Sequence, residues 1–187
     1  MSGKYGRLVF ELPAEHNESS LALMGGVAGL IMSPQVYFRG ATQIPGARFN
    51  AGFQIFVKSF FLDRIPHHHD VDEYLVFLGA SSPNVFDFNA EIELTMGKAG
   101  VDAEVYRIDK PTIVRIPSGV THCPINFIRV DAPVFFQPIL MQDMFSSIYE
   151  TEDGGTKELW YNGPHRCKLN PDRECDSCRG CIEEDWQ

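Results

Sequence analysis

Between Phe53 and Met141 the chain alternates short aromatic and β-branched runs with clusters of Gly, Pro, Asn, Asp and Ser. That rhythm constrains the fold more than any other feature. Runs of about five residues closed by turn residues read as strands, and many of them in succession imply an all-β sandwich or barrel. Candidate strands are Phe53 to Leu62, Tyr74 to Leu78, Ala90 to Met96, Glu104 to Ile108, Thr112 to Ile116, Asn126 to Val130 and Val134 to Met141. The breaks fall at Gly79 with Ser81-Ser82-Pro83-Asn84, at Gly97-Lys98-Ala99-Gly100, at Asp109-Lys110-Pro111 and at Pro117-Ser118-Gly119. Fourteen Phe, six Tyr, 16 Gly and 12 Pro in 187 residues suit that architecture.

Outside this region the pattern is weaker. Residues 1–50 hold short apolar segments, Leu8 to Phe10 and Gln35 to Phe38, expected to pack as N-terminal strands on the barrel core of residues 51–141. Residues 142–187 form a C-terminal extension, with a short helix expected over Gln142 to Tyr149 and a polar, irregular tail beyond it.

Charge narrows the possible partners. Sixteen Lys and Arg against 25 Asp and Glu give a formal charge of −9. This argues against nucleic acid and anionic membrane surfaces, both of which repel such a chain at long range. The apolar stretch Leu21 to Met32 is shorter than a bilayer span and lacks the flanks of a signal peptide. A cytoplasmic location is expected, where thiols stay reduced and tend to bind metals or react.

Four of the six histidines fall in two compact segments. In PHHHDVDEYLVFLG, His67 and His69 are two residues apart, so an extended backbone places them on one face and His68 on the other. Glu73 follows at the entrance to a strand. In IPSGVTHCPIN, His122 stands just past a turn that can swing its imidazole inward. Three neutral imidazoles and a carboxylate make a mixed N/O donor set suited to Fe, Mn, Ni, Cu or Zn. His16 and His165 have no comparable pattern around them.

These segments resemble the two signature motifs of the cupin superfamily. His67, His69 and Glu73 match the metal-binding part of the first pattern, G-x5-H-x-H-x3,4-E-x6-G. Pro117, Gly119, His122 and Asn126 match the second, G-x5-P-x-G-x2-H-x3-N. Phe61 and Pro111 replace the opening glycines, Gly79 closes the first motif one residue early, and an acidic insert around Asp87 to Glu93 lengthens the stretch between motifs. The resemblance implies a double-stranded β-helix (jelly-roll) barrel carrying one divalent transition metal (Fe, Mn, Ni or Zn) on His67, His69, Glu73 and His122. It also implies a small-molecule substrate or ligand and a homodimer. Cupins include dioxygenases, decarboxylases, isomerases and lyases as well as binding and regulatory members, so the motifs do not select a reaction or a catalytic residue.

Candidates for substrate contact are Lys58, Arg115, Asn126 and Gln137, polar residues within or beside strand patterns. Lys58, Arg115 and Gln137 can each line the cavity or face solvent on the outside of the strand, and Asn126 can make a structural hydrogen bond or contact substrate. Asp70 and Asp72 flank the ligands and can orient an imidazole or sit in a solvated loop, while Cys123 is read as a small buried core residue. Four further thiols, Cys167, Cys175, Cys178 and Cys181, crowd the tail. Their spacing suits Zn or Fe, with His165 able to replace one thiol. It also resembles the start of a bacterial ferredoxin motif, but Asp185 stands where that motif has its fourth cysteine.

Overall fold

A computed structural model describes residues 5, 8–12, 14–15, 35–63, 65–81, 83–142, 146–151, 153–160, 165–166 and 174–175. The strands are β1 (Ala14–Glu15), β2 (Gln35–Phe38), β3 (Asn50–Phe56), β4 (Phe60–Leu62), β5 (Glu73–Gly79), β6 (Ala90–Met96) and β7 (Glu104–Ile108). They continue as β8 (Thr112–Ile116), β9 (His122–Val130), β10 (Val134–Leu140), β11 (Ser146–Glu150), β12 (Thr156–Trp160), β13 (His165–Arg166) and β14 (Glu174–Cys175). The described residues contain no α-helix, and a 3-10 turn runs over Gly40–Thr42.

Two sheets make a jelly roll. A six-stranded sheet runs β1-β2-β3-β10-β5-β8, and a four-stranded sheet runs β4-β9-β6-β7, with antiparallel neighbours throughout. Sequential strands repeatedly fall in opposite sheets, so residues distant in sequence meet at the ends of the sandwich. The run expected as one strand over Phe53 to Leu62 is two. β3 ends at Phe56 and β4 begins at Phe60, and the exposed Lys58 and Ser59 cross from one sheet to the other.

The inward faces meet in an apolar core. On β5, Glu73, Leu75, Phe77 and Gly79 are buried while the residues between them are partly exposed. Phe56, Phe77, Phe127 and Phe136 fill the space between the sheets, with Phe56 and Phe127 centroids 4.9 Å apart and Phe127 edge-on to Phe136 at 6.2 Å. Glu73 thus continues the inward row of β5 at its first position, where the aromatic core gives way to polar residues.

The helix expected over Gln142 to Tyr149 does not form there. Ser146–Glu150 is β11, paired with β12 from Ser146↔Trp160 to Glu150↔Thr156. Ile148 also exchanges two backbone hydrogen bonds with His68, at 2.8 and 3.0 Å. Two sets of partners outweigh the weak local helical preference of SSIYE.

Gly79 shows why the first motif closes on glycine. Its N–H donates to Val85 O at 2.8 Å, and a Cβ there would lie 2.3 Å from the backbone oxygen of Asp87. Neither backbone can withdraw without breaking this turn. Gly79→Ala should lower stability by about 1–3 kcal/mol in chemical denaturation, the usual cost of overpacking. An unchanged midpoint would show that the 80–89 loop gives way freely.

Candidate metal centre

The centre is assembled by backbone hydrogen bonds before any side chain contributes. His67 N–H donates to His122 O at 3.1 Å and His122 N–H returns a bond to His67 O at 2.9 Å, joining the two motif segments directly. Gly119, at φ 77°, donates its N–H to His69 O at 2.8 Å, so the turn before β9 is tied to the H-x-H segment as well. Asp72 braces the same corner. Its carboxylate accepts Arg115 Nε at 2.7 Å and Ser118 N–H at 3.2 Å, contacts that hold its carboxyl below the usual range, and its carbonyl accepts Met141 N–H at 3.0 Å.

Three imidazoles and a carboxylate converge on this frame. His67, His69, Glu73 and His122 are all buried. The three imidazoles offer nitrogens within 4.8 Å of one another, and they could hold a metal ion. Glu73 Oε2 lies 3.0 Å from His122 Nε2 and 3.5 Å from His69 Nε2.

The other nitrogen of each ring is anchored. His67 Nδ1 faces Ile65 O at 3.1 Å, His69 Nδ1 faces Ser146 O at 2.6 Å, and His122 Nδ1 faces Val120 O at 3.1 Å. A carbonyl can only accept, so each Nδ1 carries a proton, and this assigns the tautomer from its partner. A neutral ring then directs its Nε2 lone pair inward. At His122 that lone pair would face an oxygen lone pair of Glu73, an arrangement that repels unless a cation lies between them. Glu73 Oε2 is moreover buried with no hydrogen-bond partner, a costly state for a carboxylate. The donor set therefore fits a divalent transition metal, and backbone carbonyls behind ligating imidazoles are the usual orienting partners.

Proton affinities follow the same geometry. Burial, then the neighbouring imidazoles, push His67 down to about 3, so its ring is neutral at physiological pH. Burial alone would raise Glu73, but close polar contacts with His122 and His69 hold it well below the usual carboxylate range. Burial would lower His122, and Glu73 more than reverses this, raising it. Without a metal, a proton on His122 is the substitute cation.

Several residues stand elsewhere than sequence spacing suggests. Lys58 is exposed in the β3–β4 crossing, and Arg115 is exposed on β8 and bound to Asp72. Opposite Leu94 and Met96 of β6 stand Ile125 and His122 of β9, so three steps of β9 match two of β6. This bulge at Cys123-Pro124 lets His122, Ile125 and Phe127 all turn inward, and it leaves Asn126 on the outer face with Glu93 and Phe61 opposite. Gln137 is likewise half-buried between the inward Phe136 and the half-buried Pro138, opposite Val76. None of these four joins the histidines. Asp72 braces a turn instead of orienting an imidazole. Cys167, Cys178 and Cys181 lie outside the described residues, and of Cys175 only the backbone is described, opposite His165 in the β13–β14 ladder.

The structure adds Tyr149 and Asp63, which the sequence did not single out, and brings in Cys123, which the sequence read as a core residue. Tyr149, buried on β11, places its ring 5.2 Å from that of His67. Asp63 and Cys123 offer donor atoms within 4.8 Å of each other and of His67. Asp63 exposes much of its surface, yet dense surroundings and then Glu73 push its carboxyl up to about 6, with His122 and His69 pulling it partly back. An aspartate in a turn and a cysteine beside a ligand gave no spacing signal that could have found them.

No family model matches the chain, and no curated protein matches it. Among solved structures it is similar to the Bacillus subtilis oxalate decarboxylase of a study of that enzyme's Mn(II) centres, with TM-score 0.46 and 13% identity over 62% of this chain and 27% of that one. It is also similar to vicilin from hazelnut, Corylus avellana, with TM-score 0.45 and 14% identity over 92% of this chain and 38% of that one. A third is Lactobacillus farciminis oxalate decarboxylase in a formate complex, with TM-score 0.45 and 16% identity over 62% and 31%. The matched part is thus less than two fifths of each of these proteins.

Metal-free protein should carry an acid signature of this centre. An unfolded His67 takes a proton near 6.5 but the folded one only near 3, and unfolded Glu73 protonates near 4.5 while the folded one stays ionised lower still. In both cases the unfolded chain binds more protons, so stability falls as pH falls. Asp63 acts oppositely between about 6 and 3.8, holding a proton when folded, and so offsets His67 there. The raised His122 changes stability only on the alkaline side, above its ordinary value of 6.5. The Tm of chelator-treated protein should therefore drop most steeply below about pH 4.5, and Glu73→Gln should flatten that limb.

Proposed function

We propose that the chain is a metal-dependent cupin enzyme. His67, His69, Glu73 and His122 hold one divalent transition metal, Fe, Mn, Ni or Zn, and the substrate is small and anionic or oxygen-rich. The observation that carries this is the convergence of three carbonyl-anchored imidazoles on a buried carboxylate oxygen with no hydrogen-bond partner. When bound, the metal supplies Lewis acidity toward carbonyl or carboxylate oxygens, acidifies a bound water or, as iron, supports oxygen chemistry. Dioxygenase, decarboxylase, isomerase and lyase reactions all fall within that range.

The residues themselves supply orientation and charge. The Ile65, Ser146 and Val120 carbonyls fix the three rings, so that little reorganisation is needed on binding. His67 stays neutral, keeping its lone pair available. One carboxylate against a doubly charged ion leaves the centre net positive, which favours an anionic oxygen ligand. Lys58 and Arg115 face solvent, so attraction for such a ligand comes from the centre itself. Tyr149 covers the His67 side and limits water there.

A homodimer and a cytoplasmic location belong to the same proposal. No helix among the described residues is long and apolar enough to cross a membrane. Zn or Fe on Cys167, Cys175, Cys178 and Cys181 is proposed from their spacing alone.

Elemental analysis of protein purified without oxygen tests the centre. Reconstituted with Mn2+, a chain with the four tail cysteines changed to serine should hold close to one ion, and adding His122→Ala should lower that manganese content about tenfold or more. Turnover of carboxylates or keto acids should disappear with it while the β circular dichroism stays unchanged. Full activity in His122→Ala would remove the assignment. Binding without turnover across carboxylates, keto acids and sugars would identify a ligand-binding or sensory module with a structural metal.

A further inference from the structure

We propose that Asp63, Cys123 and His67 form a second metal site for thiophilic divalent cations, overlapping the His/Glu centre and mutually exclusive with it. The exclusion, unlike the site itself, rests on the function proposed above.

The three donors lie within 4.8 Å of one another, and they combine a thiol, a carboxylate and an imidazole. Such an S/O/N set suits Zn2+, Co2+ or Cd2+ better than Mn2+ or Mg2+. His67 belongs to both sets. Its Nδ1 is committed to Ile65 O, so a single nitrogen has to serve whichever ion is bound. The buried Cys123 packs with the apolar core, while Asp63, just after β4, supplies the carboxylate beside it.

The backbone bears on the same trio. Among the described residues, the non-glycine residues with positive φ are Asp63 at 42° and Cys123 at 76°. Left-handed conformations cost side-chain-bearing residues energy and persist where surrounding structure imposes them. At Cys123 the imposing element is the β9 bulge, which turns both His122 and Cys123 inward. An ordinary core position would also not set a carboxylate against a buried thiol. Burial, then Asp63 and Glu73, raise the Cys123 thiol well above its usual value, so the free thiol is protonated. Binding therefore exchanges a proton for the metal: Cys–SH and M2+ give Cys–S−–M2+ and release H+ to solvent.

The test uses the full chain with Cys167, Cys175, Cys178 and Cys181 changed to serine, leaving Cys123 as the sole thiol of the five cysteines. Anaerobic titration with Co2+ should produce a thiolate-to-cobalt charge-transfer band in the near ultraviolet. Cys123→Ala should abolish the band, and Asp63→Asn, at an exposed position, should weaken Co2+ binding about tenfold. His69→Ala should keep the band, because it disables only the His/Glu centre. In protein loaded with Mn2+, added Cd2+ should release manganese one for one. Co2+ bound without a thiolate band overturns the second site and leaves the His/Glu centre standing. Cd2+ uptake without manganese release overturns the sharing of His67. No Co2+ binding by any variant overturns both readings. Should Cys123→Ala fail to fold, Asp63→Asn and the manganese release still decide.

Discussion

A carboxylate and three imidazoles buried together impose the condition around which this end of the molecule is built. Desolvating a carboxylate costs several kcal/mol even after relaxation, and that cost is offset only by close opposite charge and well-placed donors. Here the carbonyls of Ile65, Val120 and Ser146 occupy the outer nitrogen of every ring. The rings therefore cannot rotate to solvate Glu73 with an N–H, and the inner space stays electron-rich. The arrangement favours a cation. Much nearby structure maintains this geometry: the reciprocal His67–His122 bonds, the Gly119 bond to His69 and the Asp72 brace.

The fold brings these groups together through sheet switching. β3 and β4 split one apolar run between the two sheets, and β9 meets the H-x-H segment through the bridge between His67 and His122. Phe56, Phe77, Phe127 and Phe136 make the neighbouring core apolar and buried from solvent. Those apolar surroundings strengthen the electrostatic interactions beside them. The same alternation that packs Leu75 and Phe77 therefore delivers Glu73, one step further along β5, to the centre.

Sequence alone showed those features governed by short-range periodicity. The apolar run Tyr74 to Leu78 gave the body of β5, observed over Glu73–Gly79, and a two-residue separation gave the shared face of His67 and His69. What it missed depends on pairing between distant segments. Nothing local in HCPIN announces a bulge, so the motif match brought Asn126 in as a candidate, whereas the offset against β6 turns it outward. SSIYE looked helical in isolation and became β11 because His68 and β12 both pair with it. Ser146 O and Tyr149 came to the site with that strand. Asp63 gave no signal because a turn aspartate is ordinary until the fold shows what lies opposite it.

The proposed overlap of two donor sets on His67 would bear on which ion the centre takes. Affinity of N/O/S ligands rises along the divalent series, so a site seldom selects its metal by strength alone. With Glu73 on one side and Cys123 on the other, the His67 ring stands between a hard donor and a soft one. An oxygen-preferring ion settles with Glu73, where it also removes the lone-pair clash with His122. A thiophilic ion gains a sulfur by moving toward Cys123 but leaves that clash to a proton on His122. The two positions therefore differ in proton count as well as in donor type.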